Sequence, residues 1–237
     1  MPDANFWKKY FGVYDCLNLL ISYQELLDEV CIALDIRKGE KILEAGCGTG
    51  NLALKIKERG GDVTGLDNCE EAIKIYKRKD PVARTILADL SRELPFSDNY
   101  FDKIALNNTL YAFPRPKQEA ILREMLRILK PGGKIVLSNP RKGWDPKKIY
   151  TASIKENVKR EGYLRTAQKI LYLIGPTLKI FYYNIQIQKS SDYNFLTDKE
   201  QETILQNTGF TNISKSKSVY AGQSILTVGY KPEAVQA

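Results

Sequence analysis

The sequence predicts an α/β fold in which helices cover both faces of a mostly parallel sheet. Two features of the chain support this prediction. Five short apolar runs alternate with segments long enough for helical crossovers, which is typical of a wound parallel sheet. Two further runs near the end of the chain are joined by only a few residues, which favours an antiparallel hairpin. We therefore expect seven strands, with the hairpin at the end of the sheet.

The strands are expected, in chain order, at "KILEA", "DVTGLD", "RTILAD", "FDKIALN", "GKIVLSN", "TNISKSKSV" and "QSILTVGYK". The clearest helix has Pro116 in its first turn and an apolar stripe that runs from Ile121 to Leu129. The sequence "KPGG" at residues 130–133 is expected to end this helix and lead into the next strand.

Two capping boxes are expected at helix starts, where a hydroxyl side chain and a glutamate three residues later satisfy free backbone N–H groups. Ser22 with Glu25 would begin a helix that runs to about Asp35, inside a helical region of residues 1–38. Thr197 with Glu200 would begin the last helix of the chain.

The composition predicts one elaborated cytoplasmic domain. A chain of 237 residues with 43% hydrophobic content can bury a sizeable core without dividing. The longest apolar stretch, residues 170–178, is interrupted by Gly175 and Pro176 and is too short for a membrane span of about 20 residues. The N-terminal region carries charges and lacks a small-residue cleavage site, so no secretory signal is expected.

The chain has no histidine and four irregularly spaced cysteines, without a CxxC pair. This composition excludes histidine-based catalytic triads and ordinary Cys/His zinc sites. We expect reduced thiols and no metal site.

The positive charge of the protein is concentrated in one segment. The formal net charge is +8, and residues 141–191 contain eleven Lys or Arg against three Asp or Glu. Residues 141–196 are also rich in aromatics and too long for an ordinary connection, which is typical of a lid or binding surface. The segment could attract anionic lipid or nucleic acid, or it could be a solvated surface.

A glycine-rich turn after the first strand indicates a ligand site. Gly46, Gly48 and Gly50 would place free backbone N–H groups at the start of a helix. The dinucleotide fingerprint GxGxxG would require a glycine at position 51, which is Asn51, so a dehydrogenase is disfavoured. Glu44 precedes the glycines, and its negative charge would repel a pyrophosphate but suit a cationic ligand.

Further polar residues follow the next strands. Asp67 ends the second strand, where an acid binds ribose hydroxyls in wound sheets. Asp89 follows the third strand and could accept from an exocyclic adenine amine, with the backbone of Leu90 facing the ring. Asn107 and Asn108 lie at the carboxyl edge of the sheet, where open α/β folds bind ligands.

Five motifs in this order resemble the class I S-adenosylmethionine-dependent methyltransferases. They are "LEAGCGTG", "GLD", "LADL", "FDKIALNNTL" and "ILKPGGKIVLSNP", and they span roughly residues 40–140. The resemblance implies a Rossmann-like, doubly wound, seven-stranded sheet with a helical cap. It also implies S-adenosyl-L-methionine as methyl donor and S-adenosyl-L-homocysteine as product.

The resemblance assigns roles to individual positions. The methionine end of the donor would be held by Glu44, Ala45, Gly46, Cys47, Gly48 and the backbone of Asn107. Asp67 would bind the ribose, Asn68 would lie along the adenine, and Asp89 with Leu90 would read that base. No catalytic residue is assigned, and Tyr111 is the one candidate, with a packed core aromatic as the alternative.

The segment "YDCLNLLISYQ" from Tyr14 resembles the opening of quinone-biosynthetic methyltransferases, in which such a tyrosine covers the donor. We therefore expect a small-molecule or amphiphilic acceptor, such as a lipid, isoprenoid or quinone, with contact at an anionic membrane surface. The alternatives are an RNA methyltransferase and a cofactor-binding scaffold without activity.

The expected organisation has four parts. N-terminal helices in residues 1–38 would cover the site, and residues 39–140 would form the donor-binding core. Residues 141–196 would cap the acceptor side, and residues 197–237 would complete the core with a helix and a hairpin.

Overall fold

The computed structural model describes residues 4–234, so the outermost three residues of the first and last predicted segments lie outside the described residues. It contains a seven-stranded sheet of order β3-β2-β1-β4-β5-β7-β6, in which β7 runs antiparallel to both β5 and β6 and the other pairs are parallel. The strands are β1 Lys41–Ala45, β2 Asp62–Asp67, β3 Arg84–Leu87, β4 Phe101–Asn107, β5 Leu129–Pro140, β6 Lys217–Val219 and β7 Ser224–Tyr230.

Helices cover both faces of this sheet and bury two apolar layers. Successive residues of a strand point to opposite faces, so Ile42 lies in one layer and Leu43 in the other, as do Ala105 and Ile104. The helices are α1 Ala4–Tyr14, α2 Ile21–Leu34, α3 Asn51–Glu58, α4 Glu70–Lys79, α5 Arg115–Ile128, α6 Pro146–Glu161, α7 Tyr163–Lys189 and α8 Asp198–Asn207. The predicted fold class is confirmed.

The strand predictions are confirmed in position, with differences at their ends. β3 ends at Leu87, so Asp89 follows the strand by two residues, and β6 covers only the last three residues of its predicted run. The prediction that residues 130–133 end the long helix is wrong by a few residues. α5 ends at Ile128, and Leu129 already pairs with Phe101 because burial in the sheet replaces burial on the helix stripe.

One predicted capping box is confirmed and the other is wrong. Thr197 and Glu200 form the reciprocal pair at the start of α8. Ser22 lies inside α2, whose N-cap is Leu20, and its buried hydroxyl bonds to the Ile149 carbonyl and the Ser153 hydroxyl of α6. Packing between α2 and α6 therefore overrides the local capping pattern.

The basic aromatic segment forms a helical hairpin. α6 and α7 are separated by Gly162, whose positive φ of 83° permits the sharp change of direction. α7 continues through Pro176, which the sequence suggested as an interruption. Within residues 4–234, none of the helices combines the length and the hydropathy that crossing a bilayer requires.

The sheet topology positions the ligand site. β1 pairs with β2 on one side and β4 on the other, so the chain reverses its direction of progress across the sheet between β1 and β4. Crevices form at the carboxyl ends of strands at such a reversal. The glycine loop after β1 and the two asparagines at the end of β4 meet at this crevice.

Candidate functional site

The glycine loop is shaped by close approach to its neighbours. Gly46 and Gly48 have positive φ values of 79° and 50°. A Cβ at Gly46 would lie 2.3 Å from the side chain of Thr109, and one at Gly48 would lie 2.7 Å from the ring of Phe11. Any larger residue would therefore push the loop away from the end of β4 or from α1.

Glu44 is a buried acid with spare hydrogen-bonding capacity. It is the last residue but one of β1, lines the second cavity and is 3% exposed, and its Oε2 has no hydrogen-bond partner among the described residues. Burial raises the pKa of this carboxyl well above its usual value, and the nearby Asp67 raises it further, while the backbone N–H of Ala53 acts in the opposite direction. A buried carboxylate of this kind is stabilised by a cationic group of a ligand.

Asp67 connects the second strand to the glycine loop. Its carboxylate accepts hydrogen bonds from the backbone N–H of Gly48 at 2.8 Å and of Cys69 at 2.9 Å. Burial raises the pKa of Asp67, and these backbone donors oppose the rise. The side chain thus holds the loop while it also lines a cavity.

The first cavity has a volume of about 300 Å³ and lies between α1 and the carboxyl ends of the strands. Of the predicted donor-binding residues, it is lined by Gly46, Asp67, Asn68 and Leu90. The remaining lining residues are Trp7, Phe11, Cys69, Ala88, Asn108, Thr109, Ala112 and Phe113.

The second cavity, of about 80 Å³, continues from the glycine loop toward α6 and α7 and shares Trp7, Phe11, Gly46 and Asn108 with the first. The predicted residues that line it are Tyr14, Glu44, Gly46, Cys47, Gly48, Asn107 and Tyr111. Other walls come from aromatic and polar side chains, among them Tyr10, Tyr23, Trp144, Asn184, Tyr220 and Ser224.

A directed hydrogen-bond chain ends at Tyr14. The Lys79 ammonium donates to the Asn51 side-chain oxygen at 2.8 Å, and the Asn51 amide donates to Tyr23 at 3.4 Å. The Tyr23 hydroxyl in turn donates to Tyr14 at 3.2 Å. Burial and the neighbouring Tyr23 raise the pKa of Tyr14, so this hydroxyl stays protonated and can donate into the cavity.

Three predicted residues lie outside the cavity linings or are held by other contacts. Ala45 is fully buried at the end of β1 and lies behind the loop, outside the two cavity linings. Asp89 lies between two lining residues, but its carboxylate accepts from the backbone N–H of Ser91 at 2.9 Å. Tyr111 stacks on Phe195 with ring centroids 5.3 Å apart, and burial raises its pKa, which disfavours a role as a base. The contact of Asp89 with adenine stays a prediction.

Sequence reasoning missed the residues that close the site from above. Trp7 and Phe11 line both cavities and are spaced four positions apart, so an aromatic stripe on the first helix was the available signal. Asn108 was expected at the carboxyl edge of the sheet, and it lines both cavities. It has a positive φ of 53°, a backbone region that asparagine tolerates, and its buried Oδ1 has no partner among the described residues.

Comparisons with known proteins agree with this geometry. A family model described as a methyltransferase domain matches residues 42–133, which run from the glycine loop strand to β5. The chain is 26% identical to a demethylmenaquinone methyltransferase of Bacillus cereus, over 96% of this chain and 94% of that protein. The chain is a class I S-adenosylmethionine-dependent methyltransferase. A demethylmenaquinone methyltransferase of Staphylococcus aureus is 28% identical to this enzyme, over 92% and 88% of the two chains.

A solved structure shares the fold of the enzyme. The magnesium protoporphyrin IX methyltransferase of Synechocystis, determined with bound S-adenosylmethionine, superposes with a TM-score of 0.58 at 16% identity. The match covers 89% of this chain and 80% of that one.

The residues present fit the cofactor S-adenosylmethionine. When bound, it supplies a methyl group activated on a positively charged sulfur. The unpartnered Oε2 of Glu44 is a suitable acceptor for the ammonium group at the methionine end. Asp67 can accept from ribose hydroxyls, and the largely apolar walls at Ala88, Leu90 and Phe113 suit an adenine ring.

Proposed function

We propose that the enzyme methylates a quinone-like aromatic acceptor. The observation that carries this proposal is the second cavity, which joins the donor site and is lined by eight aromatic residues. Aromatic walls bind a flat ring through stacked and edge-to-face contacts. The relatives named demethylmenaquinone methyltransferases, which match nearly the whole chain, support the same acceptor class.

Two buried polar groups in this cavity are suited to hold the oxygens of such a ring. Trp144 is 8% exposed, and its indole N–H has no acceptor among the described residues. Ser224 is 1% exposed, and its hydroxyl likewise has no partner there. Buried donors without partners cost free energy, so a ligand oxygen that accepts from them contributes both binding and orientation.

Binding in this cavity would align the acceptor with the donor and exclude water. Alignment of two reactants in one site can contribute about 7 to 11 kcal/mol to lowering a barrier. The Tyr14 hydroxyl is protonated and is the last group in the chain of hydrogen bonds that begins at Lys79. Tyr14 lines the same cavity as Glu44. We propose that Tyr14 donates a hydrogen bond at the junction of the donor and acceptor sites.

The proposed acceptor also has consequences for where the enzyme acts. A quinone-like molecule with an apolar tail partitions into lipid bilayers. We propose that the protein meets it as a peripheral protein at the membrane surface, through the basic segment at residues 141–196.

The test measures transfer of a radiolabelled methyl group from S-adenosylmethionine to three substrates: a reduced demethylnaphthoquinone, total RNA and a mixture of soluble metabolites. We expect label in the quinol. Label in RNA alone would overturn the proposal in favour of an RNA methyltransferase, and donor binding without transfer to any fraction would favour a scaffold.

Paired serine variants test the acceptor site. Ser224→Ala is expected to lower kcat/KM for the quinol about tenfold, because a donor to the ring oxygen is lost. The matched control is Ser138→Ala, which removes an equally buried hydroxyl on the adjacent strand, outside the cavity lining and also without a partner among the described residues. Equal kinetics for the two variants would remove Ser224 from the site.

A further inference from the structure

α7 has two apolar faces, and one of them is exposed. Its buried face contains Leu173, Ile180 and Ile187, and the last two pack into the core layer beneath the helix. Its outer face contains Leu164, Leu171, Ile174, Leu178 and Tyr182, which are between 56% and 75% exposed. At 100° per residue these five side chains share one side of the helix over about 27 Å.

An exposed apolar stripe of this length is unusual on a soluble surface and marks an interaction site. We call these five side chains the α7 outer stripe. Leu164 and Leu171 are 75% and 72% exposed, so water contacts most of each side chain. In the described part of the chain, nothing covers the stripe.

Exposed cations on α6 and α7 indicate what covers the stripe. Arg165, Lys179, Lys155 and Lys159 are exposed and lie on α6 and α7. In residues 4–234, none of these four cations forms an ion pair, whereas the two glutamates of α6 are already paired with Arg160 and Lys169. A helical hairpin that carries both an exposed apolar stripe and cations without ion pairs among the described residues is complementary to the headgroup region of an anionic bilayer.

The opposite side of the same helix reaches the acceptor cavity. Asn184 lines that cavity, and Tyr183 packs edge-to-face on Phe6 of α1 with ring centroids 5.4 Å apart. α7 is therefore the element that separates the outer stripe from the site. A lipid surface held against the stripe would lie one helix diameter from the cavity, about 10 Å.

We propose that the α7 outer stripe is a membrane-docking surface that binds anionic lipid bilayers. The apolar side chains enter the interface, and the four cations bind lipid phosphates. Only the biological purpose of docking, which is delivery of an amphiphilic acceptor, rests on the proposed function. The docking itself follows from the exposed stripe and its charges.

The experiment measures co-sedimentation of the full chain with vesicles of phosphatidylcholine, with and without phosphatidylglycerol. We expect binding to the anionic vesicles and its weakening by salt. The double variant Leu171→Ser, Leu178→Ser should lower the partition coefficient at least about tenfold, because two large apolar side chains leave the interface. The matched control is Val82→Ser, Leu87→Ser, which removes exposed apolar residues distant in sequence, before and at the end of β3, and should bind as wild type.

Charge variants test the second half of the proposal. Arg165→Gln with Lys179→Gln should reduce binding to anionic vesicles and flatten its salt dependence. Failure of the wild-type protein to bind anionic vesicles would overturn the proposal. So would a dimer in sedimentation equilibrium that dissociates in the Leu171→Ser, Leu178→Ser variant, because the stripe would then be covered by a second copy of the chain.

Methyl transfer to a short-chain, water-soluble quinol separates this inference from the proposed function. The α7 variants should retain that activity while they lose transfer to a long-chain quinol held in vesicles. Vesicle binding without transfer to any quinol would contradict the acceptor assignment alone. Transfer to both quinols by a double variant that still binds the vesicles as strongly as wild type would contradict the docking surface alone.

Discussion

Glu44 illustrates the conflict between stability and binding at the scale of one residue. Its carboxylate is buried beside Asp67, and one of its oxygens has no partner among the described residues. The raised pKa means that the folded, cofactor-free protein holds this proton more tightly than the unfolded chain does. Stability of the cofactor-free protein therefore falls as pH rises from the usual glutamate range to the raised value.

Glu44→Gln should remove this cost. We expect a higher Tm for the cofactor-free variant at neutral pH, with a smaller loss of stability as the pH rises above the usual glutamate range. The same variant should bind S-adenosylmethionine at least about tenfold more weakly, because a charge-assisted hydrogen bond is lost. Thermal unfolding across pH and titration calorimetry measure the two effects. Unchanged affinity would contradict the assignment of Glu44 to the cationic end of the donor.

Asp67 has two tasks, because it holds the glycine loop and faces the cavity. Asp67→Ala should weaken donor binding by at least about tenfold, since both the ribose acceptor and the anchor of Gly48 are lost. Asp62→Ala is the matched control, because Asp62 begins the same strand and its carboxylate pairs with the exposed Arg84. Titration with S-adenosylhomocysteine measures both variants. Equal affinities would show that the second motif has been misplaced.

At the scale of elements, α1 closes the site. Phe11 lies against Gly48 and lines both cavities, so donor release requires this part of α1 to move or the donor to pass it. Phe11→Ala should accelerate donor dissociation about fivefold or more, because an aromatic wall is removed. Phe6→Ala is the matched control on the same helix, since Phe6 packs on Tyr183 outside the cavity linings. Stopped-flow fluorescence would measure the rates, and equal rates would exclude α1 as a cover.

The capping box of α8 supports a separate stability prediction. Thr197→Ala should lower the free energy of unfolding by about 1 kcal/mol, because a backbone N–H at the helix start loses its acceptor. Thr151→Ala in α6 is the control, since that exposed hydroxyl bonds only to the carbonyl three residues earlier. Its effect should stay within about 0.5 kcal/mol in urea titrations. A cost as large as that of the cap variant would argue against the capping assignment.

At the scale of the whole molecule, the absence of histidine affects the proposed membrane contact. The chain of 237 residues has none, so its surface charge changes little around neutral pH. Partition onto anionic vesicles should therefore vary by less than about twofold between pH 6 and pH 8, while salt weakens it strongly. Co-sedimentation at several pH values and salt concentrations measures this. A steep pH dependence would mean that a shifted buried group controls the docking surface.

The fold followed from the sequence because its strands carry local signals. β1, β2 and β4 were predicted with their observed ends, since each is a short apolar run followed by a turn or a polar edge. The parallel direction of the first five strands followed from the length of the segments that connect them. Glu44 and Asp67 were predicted for a similar reason, since residues near the carboxyl ends of parallel strands meet at one edge of the sheet.

Other features depended on contacts between residues distant in the chain. Ser22 has the sequence pattern of a helix cap, yet its hydroxyl bonds to groups of α6, which lie more than 120 positions away in the sequence. Trp7, Phe11, Trp144 and Ser224 join the site because α1 and the region around α6 and β7 fold over the strand ends. Local sequence determined the sheet and the glycine loop, because propensity and periodicity act over a few residues. Only the tertiary structure decided the second cavity and the exposed stripe of α7, because each depends on which faces the packed helices bury and which they leave to solvent.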